Sequence, residues 1–212
     1  MANYETEEQQ LQAIKNWWKK HGNALSWVLI LVLGAAAGGR YWVAHKQQLA
    51  ESASTEFAQL RNELQAEKFE SVETRVKYIQ ESFADSPYAI QAALLKAKAD
   101  VEQNKLPDAE ASLQWVLGRD TLPEIKAIAR LRLARVLAAE GQQEHALGIL
   151  DQGDPGTLRA GYEEARGDIY RGMGRNEDAR VAYQKALIAT PPDQDQHILQ
   201  MKVDDLGGAA TS

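Results

Sequence analysis

Side-chain catalysis and metal binding both need ionisable groups that converge, and in this chain of 212 residues the first candidates are four histidines and two carboxylate pairs. His21, His45, His145 and His197 have no second metal ligand at i+3 or i+4, whereas a metal site needs at least three converging ligands. They read as solvent or membrane-edge side chains. Glu163-Glu164 and Asp204-Asp205 are adjacent in sequence, and neighbours on a helix point to different faces, so neither is an acid/base pair by itself. The absence of cysteine removes disulfides, thiolate metal sites and cysteine nucleophiles. No glycine-rich phosphate loop, Ser-His-Asp order or zinc spacing is present. These patterns imply a protein that binds rather than catalyses, with no cofactor and no metal.

What must then be positioned is a surface. A hydrophobic fraction of 44% and a charged fraction of 25% are ordinary for a globular protein, and the length suits one domain with appendages. Residues 1–45 hold four of the 24 Lys/Arg and three of the 30 Asp/Glu, which leaves 20 basic against 27 acidic residues in 46–212. That acidic bulk argues against nonspecific nucleic-acid binding.

The 18 residues 22–39 carry no formal charge, and apolar character resumes at Tyr41, Trp42 and Val43 beyond Arg40. A bilayer core of roughly 30 Å needs about 20 helical residues, so 24–44 is long enough to span it. Arg40 can snorkel, and Trp17, Trp18, Trp27, Tyr41 and Trp42 bracket the stretch as interfacial aromatics do. A cleavable signal peptide is the competing interpretation, with residues 35–39 as its small-residue site. The flanks favour an anchor: Glu5, Glu7 and Glu8 and the Leu11, Ile14, Trp17, Trp18 series differ from a short basic start. The Gly34 and Gly38 pair gives the small run a second use, as a close-packing face for another membrane helix. Lys15, Lys19 and Lys20 before the span, against Arg40 and Lys46 at and after it, favour a cytoplasmic N-terminus only narrowly.

Beyond the span, Ala, Leu, Glu, Gln and Lys dominate without strand-like alternation, which predicts helices throughout. Three segments share one template: a small residue, Asn or Gly seven later, Ala five after that and a large apolar residue four after that. They are Ala97, Asn104, Ala109, Leu113; Ala134, Gly141, Ala146, Leu150; and Gly167, Gly174, Ala179, Tyr183. Asn or Gly suits a left-handed helix stop, Ala a close crossing, and the large residue the gap between helices. Ser86-Pro87, Pro107 and Asp154-Pro155 are expected to open helices; a polar-faced helix over 46 to about 66 pairs with Val72 to Phe83 as an irregular half-repeat, Pro191-Pro192 ends the array, and Gln196 to Leu206 suits a capping helix.

The third segment adds Tyr170, Ala186 and Pro191 and so resembles the tetratricopeptide consensus, while Asp100 in the first stands where that consensus has an aromatic. The resemblance implies a tetratricopeptide-like α-solenoid of stacked helix pairs, and with the span the expected chain is all-α, one N-terminal transmembrane helix followed by that solenoid. The expected divisions are a segment 1–23, a span 24–44, a repeat domain 45–206 and a flexible tail 207–212. The tetratricopeptide register would line a groove with Leu94, Lys98 and Val101, then Leu131, Arg135 and Ala138, then Glu164, Asp168 and Arg171. Such a mixture, with apolar patches beside Lys98 and Arg135 and without a paired Lys/Asn clamp, suits an extended or partly unfolded polypeptide better than one acidic tail.

Four pieces in order, "YETEEQQLQAIKNWWKKHGNAL", "GGRYW", "LRLARV" and "QMKVDDL", resemble the ancillary SecYEG translocon subunits, also called the YfgM family, over residues 4 to 206. That similarity implies an inner-membrane, single-pass protein with a cytoplasmic N-terminus and a periplasmic domain. Its implied partners are SecYEG, a periplasmic chaperone of the PpiD type and exported client proteins. The family is also linked to the response regulator RcsB of an envelope-stress phosphorelay, which implies an alternative role for the cytoplasmic segment as a negative regulator.

Overall fold

The computed structural model describes residues 7–207, which form nine α-helices and one 3-10 turn and include no strand. Contacts divide the chain into two compact units, Met1–Ser52 and Ala53–Ser212. The helix α1, Glu7–Gln65, supplies the described part of the first unit and opens the second. No proline interrupts these 59 residues, and Ala, Leu, Gln and Glu favour the helical state along them.

In the first unit Leu25, Trp27 to Leu33, Tyr41, Trp42 and Val43 are all exposed. The stretch Leu25–Gln65 is the one helix among the described residues long and apolar enough to cross a membrane, with an 18-residue window of mean hydropathy 1.5 that is not buried by protein. At its polar margins Ser26 Oγ donates to the Gly22 carbonyl at 2.9 Å, and the Lys46 ammonium lies 4.0 Å from the centre of the Trp42 ring.

The second unit is built from helical hairpins closed in the same way. At the end of α3 (Pro87–Glu102), Asn104 has φ 57°, the Asn104 N–H donates to the Val101 carbonyl, and the Lys105 N–H reaches back to Asp100 at 2.7 Å. The same two bonds recur after α5 (Pro123–Ala139), where Gly141 has φ 81°, and after α7 (Arg159–Gly172), where Gly174 has φ 74°. Each is a left-handed stop that satisfies the last helical carbonyls. The chain then turns into α4 (Leu106–Leu117), α6 (Gln143–Leu150) or α8 (Asn176–Ala189). Ala97, Ala109, Ala134, Ala146, Gly167 and Ala179 are buried where the paired helices cross, and Leu113, Leu150 and Tyr183 fill the space beside them.

A fourth hairpin, expected only as an irregular half-repeat of 46–66 with 72–83, obeys the same offsets. Glu67 has φ 55°, its N–H bonds to Leu64 and the Lys68 N–H to Glu63, before α2 (Phe69–Ser82). Leu60, Val72 and Val76 take the buried positions that Ala and Leu hold elsewhere. Arg75 of α2 locks this hairpin, its Nε and Nη2 meeting both oxygens of Glu63 at 2.8 and 2.7 Å while Nη1 bonds Glu56. A planar fork facing a carboxylate is the strong geometry for such a pair.

Val72, Val76, Ile79, Ala89 and Ala92 form one core with Leu60, and a larger core runs from Ala93 to Ile169. Trp115 packs against both and joins them. Between α5 and α7, the Tyr162 hydroxyl donates to the Ala127 carbonyl at 2.9 Å.

Helix starts match in part. Ser86 caps α3, its Oγ accepting from the Tyr88 N–H with Pro87 in the first turn, and Pro107 sits in the first turn of α4. Asp154-Pro155, expected to open a helix, instead starts the 3-10 turn Gly156–Leu158, because Asp154 Oδ1 takes the Gly156 N–H at 3.0 Å and Gly156 has φ 54°. The closing helix α9 is His197–Gly207. Gly207 of the expected tail therefore belongs to a helix, while 208–212, like residues 1–6 of the N-terminal segment, lie outside the described residues.

Candidate functional site

The first helices of the three recognised hairpins, α3, α5 and α7, carry the nine expected groove positions. The structure divides those positions into three kinds. Lys98, Val101 and Arg135 are exposed and come together on the wall of a cleft of about 350 Å³ between α3, α4 and α5. Its floor is Ala97, Leu113 and Val136, with Leu106 at one side and Ala139 near the mouth. Leu94 and Ala138 are half-buried and pack on the main core. Leu131 belongs to that core outright, at 9% exposure, because the third-repeat helix α7 covers it. The register placed it on the lining one residue from the exposed Arg132, which does edge the cleft and whose Nη1 donates to the Leu94 carbonyl at 3.3 Å.

Glu164 and Asp168 meet another part of the chain. Lys202 of α9 reaches back to Glu164 Oε1 at 2.8 Å and Asp168 Oδ1 at 2.7 Å, and the Tyr183 hydroxyl donates to the same Asp168 oxygen at 2.8 Å. Burial disfavours the Lys202 ammonium, but the two carboxylates outweigh it and hold its pKa up. A lysine raised in the folded state contributes stability below its unfolded value, here while Glu164 and Asp168 are ionised, and loses it as pH rises into strong alkali. At neutral pH Lys202 is therefore charged and ties α9 to Glu164 and Asp168 of α7. Arg171 remains exposed.

Asp100, at 6% exposure, stands where the second and third hairpins have Leu137 and Tyr170. Lys96 one turn earlier satisfies it, Nζ to Oδ2 at 2.7 Å. Burial pushes the Asp100 carboxyl above its ordinary value, against the pull of Lys96 and with Asp108 adding to the rise. The folded state thus holds the Asp100 proton to higher pH than the unfolded chain, and stability from this group falls as pH climbs through that window. Replacing the pair together, Lys96→Met with Asp100→Leu, is expected to raise stability by about 1 kcal/mol, since apolar packing matches or exceeds a buried ion pair. The gain in Tm over the native chain is expected to be larger at pH 7 than at pH 4. Asp100→Ala alone leaves the Lys96 ammonium without its partner and is expected to lower Tm at pH 7.

In the first unit, Gly34 and Gly38 both face open space, with no atom within 4 Å of where a Cβ would stand. No three His, Asp or Glu are grouped to hold a metal ion among the described residues. Residue patterns alone missed Lys202 and the Glu56, Glu63, Arg75 lock. Glu56 and Glu63 are two helical turns apart on one face of α1, which was the available signal; Lys202 had none, since its partners are 38 and 34 residues away.

A family profile for a tetratricopeptide repeat-like domain matches residues 15–208. An ancillary SecYEG translocon subunit of Escherichia coli (strain K12) is 31% identical over 206 residues, which covers 97% of this chain and 99% of that protein. Proteins of the same name are 28% identical in Haemophilus influenzae (strain ATCC 51907 / DSM 11121 / KW20 / Rd), over 94% of this chain and 97% of the relative, and 28% identical in Neisseria gonorrhoeae (strain ATCC 700825 / FA 1090), over 97% and 100%.

Proposed function

The chain belongs to the tetratricopeptide repeat-like family of ancillary SecYEG translocon subunits, and from that premise we propose that it is a non-enzymatic, membrane-tethered scaffold at the translocon. Residues 24–44 anchor it in the bacterial inner membrane, 1–23 lie in the cytoplasm, and 45–206 stand in the periplasm. Gly34 and Gly38 pack the span against a partner helix. The repeat domain holds a chaperone of the PpiD type, or an emerging client, beside the exit. The observation that carries this reading is one unbroken helix, α1, with an exposed apolar stretch in the first unit and the opening hairpin of the repeat domain in the second.

Two tests address orientation and partner. Because the chain has no cysteine, Gln12→Cys and Asp120→Cys are clean reporters on exposed positions. A membrane-impermeant maleimide is expected to label Asp120→Cys in cells with a permeabilised outer membrane and Gln12→Cys only after lysis. The opposite pattern reverses the orientation. A photo-crosslinking residue at Val101 is expected to capture a periplasmic chaperone or an exported chain, and capture of cytoplasmic proteins alone contradicts the placement.

A second reading rests on Leu11, Ile14, Trp17 and Trp18, which are exposed along α1 before the span. Such a face could sequester a cytoplasmic regulator of the RcsB kind. Deleting residues 2 to 20 would then alter an envelope-stress reporter while translocon association persists.

A further inference from the structure

The cleft between α3 and α5 has a particular chemistry. Its floor is wholly apolar, with Ala97, Leu113 and Val136 all buried, whereas Lys98, Arg132 and Arg135 stand exposed around it with Glu102 as their one anionic neighbour. Lys98 is partly answered by Glu102 at 3.6 Å; Arg135 makes no ion pair with any described residue. This cationic rim runs against the acidic balance of residues 46–212. A volume of about 350 Å³ is at the small end of the range of roughly 300–1,000 Å³ for ligand sites and suits one or two large side chains.

Resting on the groove reading above, we infer that this cleft takes a bulky apolar side chain from a polypeptide segment whose flanking residues are Asp or Glu. The apolar side chain fills the space over Ala97, Leu113 and Val136. The flanking carboxylates meet Arg135, Arg132 and Lys98. Apolar burial supplies the holding force, while the charges select among partners and speed the encounter. Because the rim is open to solvent, its share is screened by salt, the Debye length falling to about 8 Å at physiological ionic strength. The cleft thus rejects basic segments and reads an acidic-apolar pattern, which narrows the partners that the third hairpin, already engaged by Lys202, does not select.

Fluorescence anisotropy tests this on the full chain in detergent micelles with three labelled peptides of 12 residues: Leu and Phe among Asp and Glu, the same apolar residues among Lys, and Ser among Asp and Glu. The first is expected to bind at least 10-fold more tightly than the other two and to weaken as salt is raised. Arg135→Glu is expected to reduce that binding about 10-fold, and Lys98→Glu with Arg135→Glu to favour the Lys peptide. Ala139→Phe, which fills the mouth from an exposed position, is expected to abolish binding with Tm unchanged. Equal binding of all three peptides, no binding of the first, or indifference to both Arg135→Glu and Ala139→Phe overturns the inference. Displacement of the first peptide by phosphatidylglycerol bicelles would assign the cleft to a lipid surface and overturn it as well. SecYEG recovery with the native chain separates the two levels: SecYEG retained with no peptide selectivity defeats only the cleft, and SecYEG absent from the native chain with intact peptide binding defeats only the translocon reading.

Discussion

Gly167→Val is expected to lower Tm by roughly 6–12 °C, the equivalent of about 3 kcal/mol in a chain of this size. A Cβ at Gly167 would overlap the Tyr183 ring at Cε1, Cδ1 and Cζ. That ring has no space to move, being fully buried among Ala179, Ala186 and Leu199 with its hydroxyl held by Asp168. The clash would part α7 from α8 and, through Asp168, loosen the Lys202 contact that holds α9. Gly167→Ala with Tyr183→Leu is expected to be more stable than the two single costs predict, since the second change vacates the space the first needs. Circular dichroism melts of the four chains measure this coupling, and purely additive losses would show that the crossing does not depend on ring against backbone.

Leu131→Glu is expected to cost about 5 kcal/mol, combining lost apolar burial with an unpaired buried charge. That is comparable with the whole stability of an ordinary domain, so the second and third hairpins should come apart. Leu131 contacts the segment around Gly161, where a Cβ would stand 3.3 Å from its Cδ2. Arg135→Glu, one turn along on the exposed side, is expected to change stability by less than about 0.5 kcal/mol. The pair separates fold from binding on a single helix. Loss of partner capture with an unchanged melting curve can be assigned to the surface only for Arg135→Glu, and a folded Leu131→Glu chain would mean that α7 does not cover that position as described.

The contrast between these two residues also marks how far the sequence could be read. Asn104, Gly141 and Gly174 announced three helix stops because left-handed backbone is cheap for those residue types. The crossings at Ala97, Ala134 and Gly167 followed from the same spacing. The hairpin around Glu67 read only as an irregular half-repeat because Leu60 and Val72 replace small residues and a glutamate occupies the left-handed position, so geometry persists where residue type does not. On the groove, the register located Lys98, Val101 and Arg135 on the cleft wall. It put Leu131 one residue out of place, and although Gln196 to Leu206 read as a capping helix, the clamp between Lys202 and Glu164 was not legible, since it depends on how that helix folds back. Asp100 was visible as a departure from the repeat, while its pairing with Lys96 four residues earlier emerged only from the structure.

The central claim is that the chain is a tether whose span and repeat domain together assemble partners at the translocon. Its most direct test is affinity purification of the full chain from membranes in mild detergent, beside a control in which residues 24–44 are replaced by an unrelated span of equal length. The account predicts that SecYEG subunits and a periplasmic chaperone are retained by the native chain and that SecYEG is depleted from the control. Absence of SecYEG from the native sample, under conditions in which SecYEG itself stays assembled, would contradict it.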